Sequence, residues 1–226
     1  MKLRTFFAII PSLLFCLRYL PFKQALKLPI IIYNLKIFKL GGKVIIDSDK
    51  IYFGMIRLGL FITNQYPNSG IRWYNKGTII FKGNACIGAN SAITVLRPTS
   101  YLEFGKNFGN VTSLRINCDY KITFHDNVRI GWDVSIIDSA MHRTKDLAGN
   151  FTGPGYAEVS IGNNCWIASQ CFIMQNTKLP DYTIVGARSM TNKNYEIPTH
   201  SLIAGNPAKL IKTGIWRDFN DDKIII

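Results

Sequence analysis

The chain offers few side chains suited to proton transfer near neutral pH. It has three histidines, His125, His142 and His200, and an imidazole titrates in that range. His125 and His200 stand in short turn sequences, Phe124-His125-Asp126 and Pro198-Thr199-His200. His142 stands in a longer excursion, after Ile136-Ile137-Asp138-Ser139-Ala140-Met141. A lone loop histidine is ordinarily just solvated, but His142 is also placed to act as a general base toward a hydroxyl. Asp138 could orient that imidazole, contact a second substrate, or serve only as a turn carboxylate. The three histidines are too scattered for a clustered zinc site of the γ-carbonic anhydrase kind. Five cysteines, Cys16, Cys86, Cys118, Cys165 and Cys171, form no CxxC pair. An odd count without that spacing argues against a disulfide framework or a zinc ribbon. They read as small buried hydrophobes in a reducing compartment.

The elements that would position His142 are legible as a repeat of six. From Ile161 every sixth residue is Ile161, Ile167, Ile173, Leu179, Val185, Thr191, Ile197 and Ile203. Four residues after the first five of these come Cys165, Cys171, Thr177, Thr183 and Ser189, all small. Shorter runs precede it: Phe81, Ile87, Ile93, and then Phe124, Ile130, Ile136. A helix repeats at 3.6 residues and a strand at 2. A period of six arises when a short strand and a turn repeat as one unit. Three units make a triangular coil, and stacked coils bury a continuous core. The phase breaks between Ile136 and Ile161, across the turn-rich Gly149-Asn150-Phe151-Thr152-Gly153-Pro154-Gly155. That break predicts a loop near 139–160 projecting from a rigid solenoid, a good place for chemistry.

The first fifth of the chain differs. Residues 1–43 carry Lys2, Arg4, Arg18, Lys23, Lys27, Lys36, Lys39 and Lys43 and no acid, within a net charge of +13. Bulky apolar residues lie among them, including Phe6, Phe7, Ile10, Leu14 and Leu17. Thr5 to Leu17 is too short and too interrupted by Pro11 to span a bilayer as a straight helix, and no cleavable signal follows. The composition fits peripheral contact with an anionic membrane; the plainer alternative is an arm packed on its own domain or a neighbouring subunit. No nucleic-acid motif accompanies the charge. The expected division is a basic amphipathic segment over 1–45, a β-helix over 46–212 and a tail over 213–226 without a functional signal.

The run Ile161-Gly162-Asn163-Asn164-Cys165-Trp166-Ile167-Ala168 resembles the signature coil of the hexapeptide-repeat acyltransferases. So do Ile184-Val185-Gly186-Ala187-Arg188-Ser189 and the closing stretch Ile203-Ala204-Gly205-Asn206-Pro207-Ala208-Lys209-Leu210-Ile211-Lys212. The likeness covers about residues 78–212 and is nearest the sugar O-acetyltransferase branch of the capsule and O-antigen type. It implies an all-β, left-handed parallel β-helix, a known exception to right-handed crossovers. It implies a homotrimer with active sites between subunits, acetyl-CoA as co-substrate, no metal, and His142 as base. Asp119 matches an acceptor-binding aspartate, whereas a second acceptor contact of that branch falls on Val111. Ser169, Gly186, Ala187, Asn192, Lys193, Lys209 and Lys212 match coenzyme-binding positions, the lysines facing phosphates; their plain alternative is a solvated basic face. Ala168 replaces a usual glycine.

The resemblance therefore implies transfer of acetyl to a hydroxyl of a surface-polysaccharide sugar or lipid-linked precursor, at the cytoplasmic face of a cell membrane. Two other readings stand beside it. One is a non-catalytic scaffold that kept the coil; the other is a soluble acetyltransferase for a small metabolite. The basic, apolar first 43 residues favour a membrane-side acceptor over a diffusing metabolite. A nucleotidyltransferase would require a glycine-rich nucleotide-binding domain before the coil.

Overall fold

The computed structural model describes residues 2–219. Helix α1 (Lys2–Tyr19) and a single turn, α2 (Phe22–Ala25), lead into short parallel strands that stack as three sheets of nine, seven and six strands. The solenoid begins at Ile30, inside the segment expected to be wholly N-terminal arm, because Ile30–Ile32 pairs in parallel with Ile56–Leu58.

The six-residue period translates directly into this architecture. Phe81 lies in the six-stranded sheet, Ile87 in the nine-stranded sheet and Ile93 in the seven-stranded sheet. Three hexads thus make one coil, and residues one coil apart stack. One interior column runs Phe81, Phe104, Phe124, Ile161, Leu179. Its aromatic rings stack face to face, with centroids 5.0 Å and 5.5 Å apart. A second runs Ile87, Asn110, Ile130, Ile167, Val185, Ile203. The small members sit where the coil turns: Cys165, Thr177 and Thr183 are fully buried, and Thr183 Oγ1 donates to the Pro180 carbonyl at 2.7 Å. The winding is that of a parallel β-helix.

Corners require backbone that most residues avoid. Asn107, Asn127 and Asn164 adopt φ near +60°, which asparagine tolerates better than bulkier residues. Their amides form a ladder along one edge, at 3.1 Å and 3.0 Å. At the C-terminal end Ser201–Gly205 folds back antiparallel on Ala208–Thr213, which adds the closing strand of the nine-stranded sheet. At the other end α1 lies over the first coil. Ser12 Oγ donates to the Ala8 carbonyl at 2.6 Å and accepts the Ile32 N–H at 2.9 Å, so a buried strand donator is satisfied from the helix. No helix among the described residues is long and apolar enough to cross a membrane.

Candidate active site

The excursion leaves the solenoid after the strand Ser135–Ile137, which is stacked on Arg115–Cys118. Asp138 forms its neck. The side chain is fully buried; Oδ1 accepts the Asp119 N–H at 2.7 Å and Oδ2 the Tyr120 N–H at 2.9 Å. Burial pushes the carboxyl above its ordinary value, against the pull of those two amides. The Asp138 carbonyl accepts the Ala157 N–H at 3.0 Å, and Gly155 O accepts the Ala140 N–H at 2.8 Å. These bonds clamp the two ends of the loop together. Within it Met141 takes φ +61°, held by its N–H donating to Ser139 Oγ at 3.0 Å. His142 follows, exposed.

His142 and Asp119 line one open cavity of about 450 Å³ with Arg97, Ser139, Arg143 and Tyr156. Asp119 is only 7% exposed. Arg97 grips it with two parallel bonds, Nε to Oδ1 at 2.5 Å and Nη2 to Oδ2 at 2.7 Å, the fork geometry that fits a carboxylate. The Arg97 guanidinium lies 5.9 Å from the Tyr156 ring, which leans on Tyr120 at 5.0 Å. Of the three roles the sequence leaves open for Asp138 (orienting His142, contacting a second substrate, or holding a turn), its geometry matches the last, since both its oxygens bond main chain. Sequence reading missed Arg97 and Tyr156 altogether. The break in the hexad at Leu96-Arg97-Pro98-Thr99-Ser100 was the available signal.

A second groove, about 760 Å³, runs along the nine-stranded sheet and its corner. Ser169, Gly186 and Ala187 line it, beside Gly131 and Ala168. Small residues are required here: a Cβ on Gly131 would stand 2.6 Å from Ser169 Oγ, and one on Gly186 would stand 3.0 Å from the Ala204 Cβ. The walls are the indoles of Trp132, Trp166 and Trp216, with Arg217 among the lining. The last two come from the tail that carries no signal in the sequence. Its described part, to residue 219, docks there: Ile215 N–H donates to His200 O at 3.1 Å, and the Trp216 ring meets the His200 ring edge-on at 5.5 Å. His200 itself stacks on Tyr182 at 4.1 Å. Asn192, Lys193, Lys209 and Lys212 are exposed and lie off the groove lining of their own chain. Among the described residues no cluster of His, Cys, Asp and Glu has the makings of a metal site.

A groove lined by small residues, a six-residue coil and a histidine on a clamped arm are the features that the resemblance to hexapeptide-repeat acyltransferases predicts. In sequence the chain is similar to acetyltransferases of that kind. It is 32% identical over 130 residues to the galactoside O-acetyltransferase of Escherichia coli K12, a match covering 55% of this chain and 62% of that protein. It is 28% identical over 126 residues to WcaF of the same organism, named a putative colanic acid biosynthesis acetyltransferase, covering 49% and 68%. The chain therefore spans less than two thirds of the galactoside enzyme's length. Among solved structures, the polysialic-acid-specific acetyltransferase NeuO aligns with a TM-score of 0.48 at 19% identity, covering 82% of this chain and 89% of that one. No family model matches the chain.

Proposed function

We propose that the chain is an acetyl-CoA-dependent O-acetyltransferase for a hydroxyl of a surface-polysaccharide sugar or its lipid-linked precursor. It works as a homotrimer at the inner face of a cell membrane. The observation that carries the reading is the shared cavity of His142 and the Arg97-bound Asp119. An acceptor hydroxyl is a poor nucleophile until a base takes its proton. In the proposed step His142 takes that proton while the oxygen forms its bond to the acetyl carbonyl carbon. The tetrahedral intermediate collapses, the carbon–sulfur bond breaks, and the imidazolium returns the proton to the departing thiolate. Asp119, with its spare lone pairs, holds a second hydroxyl of the acceptor. Asp138 acts through the main chain as a positioning residue.

The trimer is supported by the arm itself. Leu147 and Phe151 stand exposed on it, and in a trimer a neighbouring subunit would cover them. A neighbour would also account for Asn192, Lys193, Lys209 and Lys212, which are exposed and do not line their own chain's groove and are proposed to meet the coenzyme of the adjacent one. Ser169, Gly186 and Ala187 would flank its pantetheine arm.

The test is acetyl-CoA turnover by wild type and His142→Ala with a glycan panel and membrane extracts as acceptors. A fall of roughly 10²–10⁴-fold with coenzyme binding retained supports the base. Equal rates remove His142 from the chemistry, and absence of coenzyme binding by either protein favours the scaffold reading.

A further inference from the structure

Helix α1 is apolar on both sides. Its inward face buries Ala8, Ser12, Phe15 and Cys16, and Phe15 reaches the second coil, meeting Trp73 edge-on at 5.1 Å. Its outward face carries Phe6, Phe7, Ile10, Leu14 and Leu17, with Ile10 72% and Leu14 63% exposed. At 100° per residue these five share one side of the helix. A helix apolar all round belongs in an apolar surrounding on every side, and a solenoid cap in water is polar outside.

The first coil is also left open. Ile37 stands in the same interior column as Trp73, Ile93, Ile116 and Ile136, whose members from Trp73 onward are buried. Ile37 is 55% exposed because α1 does not reach over it. Between the helix and the strand Leu35–Leu40 lies a groove of about 630 Å³ walled by Phe7, Ile10, Leu14, Ile37, Leu40 and Phe61. Phe38, Phe22 and Leu26 extend the exposed apolar surface. Around it stand the exposed cations Arg18, Lys23, Lys27, Lys36 and Lys39, and the first 43 residues contain no acid.

We propose that this end of the solenoid is a membrane-docking face, with α1 lying in the interface of an anionic phospholipid bilayer and the open end of the core seated on its acyl chains. The charge selects this occupant. A second copy of the same face would set its cations against their like, whereas anionic headgroups complement cations that flank an apolar helix. The placement deepens the acceptor reading above and rests on it in one respect. The strand before the His142 arm is four strand spacings from Leu35–Leu40, roughly 19 Å at the usual separation. A solenoid standing on this face holds His142 about that far above the bilayer, within reach of the glycan of a lipid-linked acceptor and away from its lipid.

The test is flotation of the full chain with vesicles of phosphatidylglycerol and phosphatidylcholine, and with phosphatidylcholine alone. Wild type is expected to float with the anionic vesicles and to be released by salt. Ile10→Ser/Leu14→Ser should weaken flotation by more than about tenfold, with an unchanged melting temperature because both side chains already face outward. Lys36→Glu/Lys39→Glu, on an exposed strand, should weaken it as well. Failure of wild type to float, or equal flotation of both variants, overturns the proposal. So does a fall in subunit number in Ile10→Ser/Leu14→Ser, which assigns the face to protein contact. Flotation is read without turnover, so it stands or falls separately from the acetyltransferase reading.

Discussion

The buried carboxylate of Asp138 accepts the backbone N–H of Asp119 at 2.7 Å. A residue in the neck of the loop therefore fixes the main chain of a residue one coil below it, and both lie beside the cavity that His142 enters. Removing the carboxylate strands two amides at Asp119 and Tyr120. Each buried unsatisfied donor costs about 1–3 kcal/mol. Asp138→Ala is expected to lower the melting temperature by several degrees and to reduce turnover, whereas Asp138→Asn, keeping one acceptor oxygen, should do less. The pH dependence has a defined sign. Burial raises the folded-state value above the ordinary 3.8, so the native state holds this proton more tightly than the unfolded chain. Wild type should therefore gain stability relative to Asp138→Asn as pH falls through the raised value toward 3.8. Denaturant titrations of the two proteins at several pH values read the difference.

Arg97 and Asp119 form the other fixed relationship in the cavity. Arg97 is more than half exposed and Asp119 nearly buried, so solvent screens the pair, and its loss should cost little stability. Its effect on function should be larger, because the carboxylate loses the fork that aims it. Arg97→Ala is expected to raise the acceptor KM by roughly tenfold and leave the acetyl-CoA KM unchanged. Arg97→Lys should not restore it, since an ammonium cannot make the two parallel bonds. Initial-rate kinetics with each substrate varied in turn distinguish the two constants.

Much of this arrangement was legible because the period of the β-helix is a packing rule. Phe81, Ile87 and Ile93 could be assigned inward from spacing alone, and the structure stacks each on its own sheet. The lost phase between Ile136 and Ile161 likewise located the arm. What spacing does not encode is contact between residues in adjacent coils. Arg97 meets Asp119 across 22 positions, and Asp138 turned inward to the main chain, one of the three roles its place in the sequence left open. Asn110 occupies an otherwise aliphatic column, bonding the Gly131 carbonyl at 2.8 Å, and no hexad rule anticipates it. The start of the solenoid at Ile30 was hidden for a related reason: its first strand, Ile30–Ile32, is buried on both faces and shows no alternation.

Gly186 tests the coenzyme groove. A Cβ there would lie 3.0 Å from the Cβ of Ala204, so alanine can be accepted only by a small outward shift, while valine must project into the groove. Gly186→Val is expected to raise the acetyl-CoA KM by about 10–200-fold, the range that one misplaced aliphatic group commands in a pocket. Direct calorimetric titration with CoA should show the same loss, and the acceptor KM should stay near wild type. An unchanged CoA affinity would move the coenzyme elsewhere.

The tail supplies the last test of the same groove. Trp216 and Arg217 line it, and the segment bearing them rests on the outside of the solenoid, with the Ile215 amide on His200 O, the Trp216 ring on His200, the Phe219 ring on Tyr182, and Arg217 Nη2 donating to Asn127 O at 3.5 Å among its contacts. The nine-stranded sheet is closed without it, because Ala208–Thr213 already pairs with Ser201–Gly205. A chain ending at Thr213 should therefore keep its melting temperature within a few degrees. It should bind CoA roughly tenfold more weakly, having lost an indole wall and a guanidinium suited to phosphate. Trp216→Ala and Arg217→Ala divide the effect. Pantetheine, which has no nucleotide, should respond to the first substitution and not to the second if Arg217 meets the phosphates. If both ligands bind the shortened chain as tightly as wild type, the tail is a packing element only, and the coenzyme is held by the coil and the adjacent subunit.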